Sequence, residues 1–249
     1  IMIVALMMGR AGSRGLRNKN LIKINGRSLC EYPLIAAKKS KYIKDIYVTT
    51  DCPKIKKISK KYKAIIINRP KKLCNSKALG ENVYEHGYFE IKKDLEKKSK
   101  KIELVVLLMA NSATVTWKMI DKGIQFLKKN RTFDSAVSTS VYNMWSPLRA
   151  RKLDKSGKLV PFVKFEYFGN PKTLNCDRDS QGNVYFADMS LSIVRPKCLD
   201  NLKNGLLPQK WMGKKIAPLF SWGAGDIDYK WQVPGVEYWL KKNGFKNRT

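Results

Sequence analysis

The sequence predicts a parallel α/β fold, and three observations lead to that prediction. Residues 1–8 form a continuous apolar run, which is the pattern of a strand covered on both faces. A glycine-rich loop, residues 9–15, follows that run directly. Segments with strand and helix patterns then alternate along the chain, and this order predicts parallel strands joined by helices.

The later elements follow from apolar periodicity and from the residues that interrupt it. In chain order the sequence predicts helix 29–40, strand 46–50, a Lys-rich helix from about residue 53, strand 64–67, helix 81–98, strand 104–109, helix 117–130 and strand 135–141. Turn residues such as Pro147, Gly157 and Pro161 then dominate residues 142–185, which we interpret as an excursion from the sheet, in the form of an arm. A core strand resumes at 189–194, and a helix over about 234–242 closes the chain.

The composition indicates a folded protein. The chain has 249 residues, of which 43% are hydrophobic, enough for one large domain with a sizeable core. No run approaches the roughly 20 apolar residues that cross a bilayer, and residues 1–8 are too short for a signal peptide. The five cysteines are odd in number, widely spaced and never arranged as Cys-x-x-Cys, which argues against a disulfide framework and a zinc site. We therefore expect a cytoplasmic protein with no membrane partner.

The charge admits two interpretations. Lys and Arg number 50 against 20 Asp and Glu, giving a net charge of +30, and such an excess attracts nucleic acid through its phosphates. The lysines, however, are scattered through helical stretches such as 54–63 and 92–101, which favours solvated helix faces. We expect no nucleic-acid partner, and a nucleic-acid surface remains the alternative.

The first loop has the composition of a phosphate site. Gly9, Gly12 and Gly15 allow backbone N–H groups to turn toward an anion, and four basic side chains can donate to phosphate oxygens. These are Arg10, Arg14, Arg17 and Lys19. Ligands of open parallel sheets bind beyond the carboxyl ends of the strands, where this loop lies. The loop lacks the Gly-Lys-Ser/Thr of a Walker loop and the spacing of the dinucleotide fingerprint, so we expect a triphosphate.

A pair of carboxylates near the carboxyl end predicts a Mg²⁺ site. Asp226 and Asp228 flank Ile227, and alternate residues of an extended segment point to the same side. Mg²⁺ commonly takes one or two carboxylates together with substrate phosphates. Two surface aspartates in a loop are the alternative. Trp211, Trp222, Trp231 and Trp239 also recur in this part of the chain, and we interpret most of them as packing residues.

The motifs, taken together, resemble those of a known family. Residues 9–20, GRAGSRGLRNKN, and residues 24–29, INGRSL, are similar to the opening signature of the acylneuraminate cytidylyltransferases, the CMP-sialic acid synthetases and their relatives. The similarity continues in family order through 48–51, 68–70, 134–138 and 226–228. The resemblance implies a three-layer, Rossmann-like nucleotide-diphospho-sugar transferase fold, with a single domain over 1–249 and a dimerisation arm at about 142–186.

The resemblance also implies an activity. A hydroxyl of an acidic sugar would attack the α-phosphate of CTP in the presence of Mg²⁺, giving a CMP-sugar for surface glycans and pyrophosphate, and the enzyme would be a homodimer. Matched residue by residue, the loop residues Arg10, Ala11, Gly12, Ser13 and Arg14 would hold the triphosphate, with Arg14 in the place of a family Lys. Asn20, Arg69 and Ala78 would surround the cytidine. Arg10, Arg14 and the metal ligands Asp226 and Asp228 would carry the catalysis.

The acceptor side departs from the family pattern. Where sialic-acid enzymes resemble LLQPTSPLR, residues 107–115 read LLMANSATV. Asn111, Ser112, Arg149 and Arg178 are the candidate acceptor contacts, whereas Phe186 stands where the family has an arginine. Three hypotheses therefore remain open: a nonulosonic or related acid as acceptor, a different acid such as Kdo or a phosphonate, and a non-catalytic nucleotide- or RNA-binding protein. The general base is also open, between an aspartate acting through metal-bound water and an acceptor hydroxyl activated directly by the metal.

Overall fold

The computed structural model describes residues 1–12, 16–75, 77–177, 182–222 and 226–246. The chain forms two compact units. Unit 1 comprises Ile1–Ser138 and Asp188–Thr249, and unit 2 comprises Thr139–Ala187. Within the described ranges, no helix has the length and apolarity that crossing a bilayer requires.

Strands and helices alternate through most of the described chain. The strands are β1 Met2–Met8, β2 Lys23–Ile24, β3 Arg27–Ser28, β4 Asp45–Thr49, β5 Ile65–Ile67, β6 Ile102–Met109, β7 Ser135–Val141, β8 Arg151–Leu153, β9 Leu159–Pro161, β10 Tyr185–Val194 and β11 Ile216–Phe220. The α-helices are α1 Glu31–Lys39, α2 Pro53–Lys61, α3 Gly80–Glu96, α4 Trp117–Lys129, α5 Pro196–Asp200 and α6 Val233–Lys242.

A seven-stranded sheet in the order β11-β7-β10-β6-β1-β4-β5 confirms the predicted fold class. β1 pairs in parallel with β4 and with β6, and β4 pairs in parallel with β5, whereas β10 runs antiparallel to β6. The predicted α/β sheet is therefore mostly parallel. β1 lies inside the sheet, between β6 and β4, and residues 9–12, which begin the first glycine-rich loop, follow its carboxyl end.

Helices cover both faces of this sheet, which gives the three predicted layers. Ile3, Ala5 and Met7 of β1 belong to the largest hydrophobic cluster, together with apolar residues of α1, α2 and α4. The alternate residues of β1 face α3: a Cβ placed on Gly87 would lie 2.8 Å from a methyl of Leu6, and one on Gly80 would lie 3.1 Å from the methyl of Met8. The period-2 alternation of β1 thus assigns Met8 to the α3 face.

Two parts of unit 1 differ from the sequence prediction. β11 was not predicted, because its five residues include Pro218 and alternate between buried and exposed positions, so they lack the apolar run of a central strand. Its position at the edge of the sheet explains why a proline is tolerated. Of the four tryptophans interpreted as core or interface packing, Trp211 and Trp239 are buried in the core, whereas Trp222 and Trp231 are exposed, so a role of these two at an interface stays a prediction.

Unit 2 contains a two-stranded antiparallel hairpin, β8 and β9. The carboxylate of Asp154 accepts hydrogen bonds from Ser156 and Lys158 at the turn of this hairpin. Large apolar side chains on unit 2 are solvent-exposed, among them Trp145 and Tyr167. Unit 2 coincides closely with the segment for which we predict a dimerisation arm, and that role stays a prediction.

Two glycines inside helices make a matched pair for testing the packing of α4. A Cβ on Gly123 of α4 would lie 2.5 Å from Ile193 of β10 and 2.6 Å from Leu219 of β11, whereas one on Gly235 of α6 would meet nothing within 4 Å. We expect Gly123→Ala to lower the free energy of unfolding by about 1–3 kcal/mol through overpacking. Gly235→Ala should raise it by roughly 0.5–1 kcal/mol through helix propensity. Denaturant unfolding of both variants measures the difference, and equal effects would contradict the packing described here.

Candidate active site

A cavity of about 320 Å³ opens at the carboxyl ends of β1 and β6 in unit 1. Seven of the site residues predicted from the sequence line it: Arg10, Asn20, Arg69, Ala78, Asn111, Asp226 and Asp228. The cavity lies at the edge where ligands of open α/β sheets bind. Residues separated by more than 200 positions in the sequence are therefore brought to one site.

The first loop is held against the sheet by hydrogen bonds to its backbone. Gly9 N donates to the carbonyl of Thr49, and Ala11 N donates to Asp51 Oδ1 at 2.9 Å. The buried side chain of Asn20 donates from Nδ2 to the carbonyl of Arg10 at 3.1 Å. The backbone that carries Arg10 is thus fixed before any ligand arrives, which reduces the entropy lost on binding.

Gly9 is required by the close approach of two strands. A Cβ on Gly9 would lie 2.6 Å from Cβ of Ala110, the residue that follows β6. No larger residue fits there unless the ends of β1 and β6 move apart. Gly12 has a φ of +67°, in the left-handed region that favours glycine. Ser13 and Arg14 lie outside the described residues, so their predicted contacts with the triphosphate stay predictions.

Arg69 joins the ends of β1 and β4. Its Nη2 donates to the carbonyls of Gly9 at 3.1 Å and Thr49 at 2.6 Å, and its Nε donates to Thr49 Oγ1 at 3.2 Å. Burial lowers the pKa of the Arg69 guanidinium, and the nearby Asp51 carboxylate opposes that effect. Arginine remains charged in proteins, so Arg69 brings a cation to the cavity. Its hydrogen bonds to Gly9 and Thr49 also hold the ends of β1 and β4 together there.

The segment that holds the two aspartates has the predicted alternation. Ile227 is fully buried in a cluster with Trp239 and Leu240 of α6, whereas Asp226 and Asp228 on either side of it line the cavity. The predicted placement of both carboxylates on one side is therefore observed.

Hydrogen bonds fix this segment along both edges. Ile227 N donates to the carbonyl of Asn111 at 3.2 Å, and Asn111 Nδ2 donates to Asp226 Oδ2 at 3.0 Å. Leu16 N donates to the carbonyl of Asp228 at 3.1 Å, and Asp228 N donates to Gln232 Oε1 at 2.7 Å. These bonds hold the backbone of Ile227 and Asp228 and the carboxylate of Asp226.

The electrostatic environment of the pair fits a divalent cation. Burial of Asp226, followed by repulsion from Asp228, raises the pKa of the Asp226 carboxyl above its ordinary value. Lys19 Nζ forms an ion pair with Asp228 Oδ1. Among the residues that the structure describes, no three or more His, Cys, Asp or Glu side chains are placed so that they could hold a metal ion together. Two carboxylates with phosphate oxygens and water form a ligand set that suits Mg²⁺, so the residues present fit this cation.

The other candidate acceptor residues are placed differently. Asn111 lines the cavity, but Ser112 is fully buried and donates from Oγ to Ser190 Oγ at 3.4 Å. Arg149 belongs to unit 2, where Nη2 donates to the carbonyl of Cys176 at 2.5 Å. Arg178 lies outside the described residues. The roles of these residues toward an acceptor stay predictions.

Several features of the cavity lining were not predicted from the sequence. Lys19 was identified as a phosphate ligand, but its ion pair with Asp228 was not, because the partners are 209 positions apart. Leu73 and Asn75 follow β5 in a segment without a motif, and Met8 and Met109 read simply as the last residues of buried strands. The position of a strand's final residue at a carboxyl edge is the one signal that could have identified the two methionines.

The raised pKa of Asp226 predicts that this residue lowers the stability of the metal-free fold. A carboxyl whose pKa is higher in the folded than in the unfolded state costs stability at neutral pH, and the cost disappears once both states are protonated. In chelator at pH 7, Asp226→Asn should therefore raise stability on the order of 1 kcal/mol, or roughly 2–4 °C in Tm.

The control for this prediction is Asp228→Asn, because Asp228 is half-exposed and paired with Lys19. Thermal unfolding between pH 7 and pH 4 should show the gain of the Asp226 variant shrinking as the pH falls, and no gain for the Asp228 variant. An Asp226→Asn variant that is less stable than the parent protein at pH 7 would contradict the inference that the charge of Asp226 destabilises the metal-free fold.

Comparison with known proteins agrees with this geometry. A family model described as Cytidylyltransferase matches residues 4–187. The chain belongs to the cytidylyltransferase family. The resemblance drawn from the motifs is thus confirmed, and the family match includes the first loop and the end of β6.

Three relatives of this cytidylyltransferase show where the similarity lies. A Helicobacter pylori protein, pseudaminic acid cytidylyltransferase and UDP-2,4-diacetamido-2,4,6-trideoxy-beta-L-altropyranose hydrolase, is 25% identical over 171 residues, 68% of this chain and 31% of that protein. An Escherichia coli N-acylneuraminate cytidylyltransferase is 34% identical over 85 residues, 34% of this chain and 20% of that protein. A Campylobacter jejuni CMP-N,N'-diacetyllegionaminic acid synthase is 36% identical over 76 residues, 30% of this chain and 32% of that protein. The matched region spans about a third or less of each relative.

Solved structures share the fold at low sequence identity. CMP:2-keto-3-deoxy-manno-octonic acid synthetase in complex with CTP matches with a TM-score of 0.65 at 12% identity, covering 98% of this chain and 100% of that one. The 4-diphosphocytidyl-2C-methyl-D-erythritol synthase of Anaerococcus prevotii matches with a TM-score of 0.57 at 15% identity, covering 96% of each chain. The chain therefore shares its α/β fold with these two synthases.

Proposed function

We propose that this cytidylyltransferase couples CTP to an acidic sugar, giving a CMP-sugar and pyrophosphate. One observation carries the proposal: the carboxylates of Asp226 and Asp228 line the same cavity of unit 1 as Gly9 and Arg10 of the first loop. A site that only binds a nucleotide has no need for two carboxylates near its phosphates, because their charges repel. The names of the relatives supply the acceptor class, since they include cytidylyltransferases or synthases of pseudaminic, N-acylneuraminic and legionaminic acids.

The chain's own residues would align the reactants and balance their charge. Arg10, Lys19 and Arg69 bring three cations to the cavity, and charge-assisted bonds from such groups hold phosphate oxygens. The acceptor hydroxyl oxygen would form a bond to the α-phosphorus of CTP and lose its proton, while the bond from that phosphorus to the bridging oxygen of the β-phosphate breaks. Pyrophosphate leaves with that oxygen. Nucleotidyl transfer needs mainly such alignment and electrostatic stabilisation.

Asp226 and Asp228 would hold Mg²⁺. When bound, the cation supplies charge neutralisation on the phosphates being rearranged. The side chain of Asn111 fixes Asp226, and the ion pair with Lys19 compensates Asp228. Because Lys19 contacts Asp228 and lines the cavity, its ammonium group is placed to contact either a carboxylate or a phosphate.

Further features of the function stay predictions. A homodimer formed through unit 2 and a role in surface glycan synthesis follow from the family resemblance. A cytoplasmic location follows from the cysteine pattern and the apolar runs of the sequence. The exposed apolar side chains of unit 2 support a dimer, and light scattering of the purified protein measures its mass in solution. Kdo or a phosphonate remains the alternative acceptor, and RNA binding without catalysis remains the alternative function.

Pyrophosphate release from CTP tests the proposal directly. The assay contains Mg²⁺ and one acceptor at a time from a panel of acidic sugars and phosphonates. We expect release with at least one acceptor, and we expect Asp228→Asn to lower the rate at least roughly 100-fold, because a metal-binding carboxylate is lost.

The matched control is Glu237→Gln, which removes one negative charge from the exposed, Lys241-paired side of α6. This variant should retain the parent rate, and thermal unfolding should show that both variants are folded. Release that persists in a folded Asp228 variant would contradict the assigned role of the pair. If no acceptor of the panel gives pyrophosphate release and the protein binds RNA with a steep salt dependence, the non-catalytic alternative is favoured.

A further inference from the structure

Lys19 brings a positive charge of the chain itself onto the carboxylate pair. Its Nζ forms an ion pair with Asp228 Oδ1, and both residues line the cavity. The Lys19 side chain is only 18% exposed, whereas that of Asp228 is 49% exposed. The same ammonium group attracts the nearby carboxylate of Asp226. A largely buried cation of the chain thus contacts a carboxylate that would otherwise be available to a metal ion.

The backbone holds the two partners of this ion pair next to each other. Leu16 N donates to the carbonyl of Asp228 at 3.1 Å, and Lys19 N donates to the carbonyl of Leu16 at 3.2 Å. The side chain of Leu16 packs against the cluster that contains Ile227. Because the segments that carry Lys19 and Asp228 are already bonded together, the ion pair forms with little further loss of backbone entropy.

An ammonium group and a divalent cation compete for one carboxylate. Each is attracted by the negative charge of Asp228, and two cations held close to the same carboxylate repel each other. An ammonium group withdrawn from its partner in a partly buried cavity needs another anion, because an unpaired buried charge is costly. The triphosphate of CTP is such an anion, and Lys19 Nζ has three N–H donors to offer it.

We propose that Lys19 is an internal substitute for the metal ion, which occupies Asp228 until the phosphates of the nucleotide draw its ammonium group away. The inference rests on the proposed function, which supplies the triphosphate and the divalent cation. Lys19 is then a positioning residue that couples the two ligands: the carboxylate pair binds a metal ion weakly without nucleotide and tightly with it. By linkage, the metal ion strengthens nucleotide binding by the same factor.

Metal binding without nucleotide tests the competition. The protein is titrated with Mn²⁺ alone, in place of Mg²⁺, and free Mn²⁺ is measured by electron paramagnetic resonance. Lys19→Met removes the charge at nearly constant side-chain length, and we expect it to tighten Mn²⁺ binding at least roughly tenfold. Adding Asp228→Asn to this variant should abolish the gain, which assigns the gain to the carboxylate pair.

The matched control is Lys98→Met, which removes the same charge from an exposed lysine paired with Asp94 of α3. Lys98 is outside the cavity lining, so this variant should keep the Mn²⁺ affinity within about twofold of the parent value. In chelator, Lys19→Met should also unfold at a lower temperature than the parent protein, because Asp226 and Asp228 lose their compensating charge. A merely structural ion pair would lower the unfolding temperature without tightening metal binding.

Nucleotide binding tests the withdrawal of Lys19 toward phosphate. In chelator and without acceptor, CTP should bind to Lys19→Met roughly tenfold more weakly than to the parent protein, because a charge-assisted bond to a phosphate oxygen is lost. Lys98→Met should bind CTP as the parent protein does. Lys19→Gln keeps a donor for Asp228 while losing the charge, so it should behave like the Met variant and replaces it if the Met variant is unfolded.

Mn²⁺ affinity that is unchanged or weaker in a folded Lys19 variant would overturn the competition and leave the proposed function intact. A Lys19 variant as stable as the parent protein in chelator would overturn the compensation of the pair, and an unchanged CTP affinity would overturn the transfer of Lys19 to phosphate. If neither the parent protein nor the variant binds Mn²⁺, the proposed metal role of the pair fails, and this inference fails with it. Pyrophosphate release tests cytidylyl transfer separately.

Discussion

Burial of Ile227 is the contact on which the rest of the cavity depends. Its side chain is inserted among residues of α1 and α6, and its N–H is donated to the carbonyl of Asn111. An extended segment fixed in this way must present its neighbours to the opposite side. The two carboxylates thus take their direction from an apolar residue that never meets a ligand. The arrangement also explains why Asp226 can be held partly buried despite the repulsion of Asp228.

The net charge of the chain and the fixed polar side chains of the cavity have different roles toward an anionic ligand. The net charge of +30 attracts anions to the whole surface, but it does not place them. Placement comes from the few side chains that hydrogen bonds have fixed, namely Asn20 and Asp51 at the loop and Arg69 between β1 and β4. Many of the other lysines lie on exposed helix faces, as the distribution along the sequence indicates.

The sequence predicts local features well and tertiary contacts poorly, and the site shows both cases. Apolar runs and their interruptions place β1, β4 and β6 correctly, because these depend on neighbouring residues alone. The alternation of residues 226–228 is also local. By contrast, the bond between Asn111 and Asp226 joins residues 115 positions apart, and no periodicity in a single chain records it. Ser112 illustrates the same difficulty, since its burial depends on how the chain turns after β6 ends.

The close approach of Gly9 to Ala110 limits which substitutions the chain can accept at the end of β6. Ala110 lies between Met109 and Asn111, both of which face the cavity, but its own side chain contacts the backbone of the first loop. Freedom to vary along this short stretch therefore differs from residue to residue. Residue 109 can change size and polarity, residue 110 must remain small, and Asn111 is needed for its bond to Asp226. A library that aims to reshape the cavity gains by varying residue 109 and holding residues 110 and 111 constant.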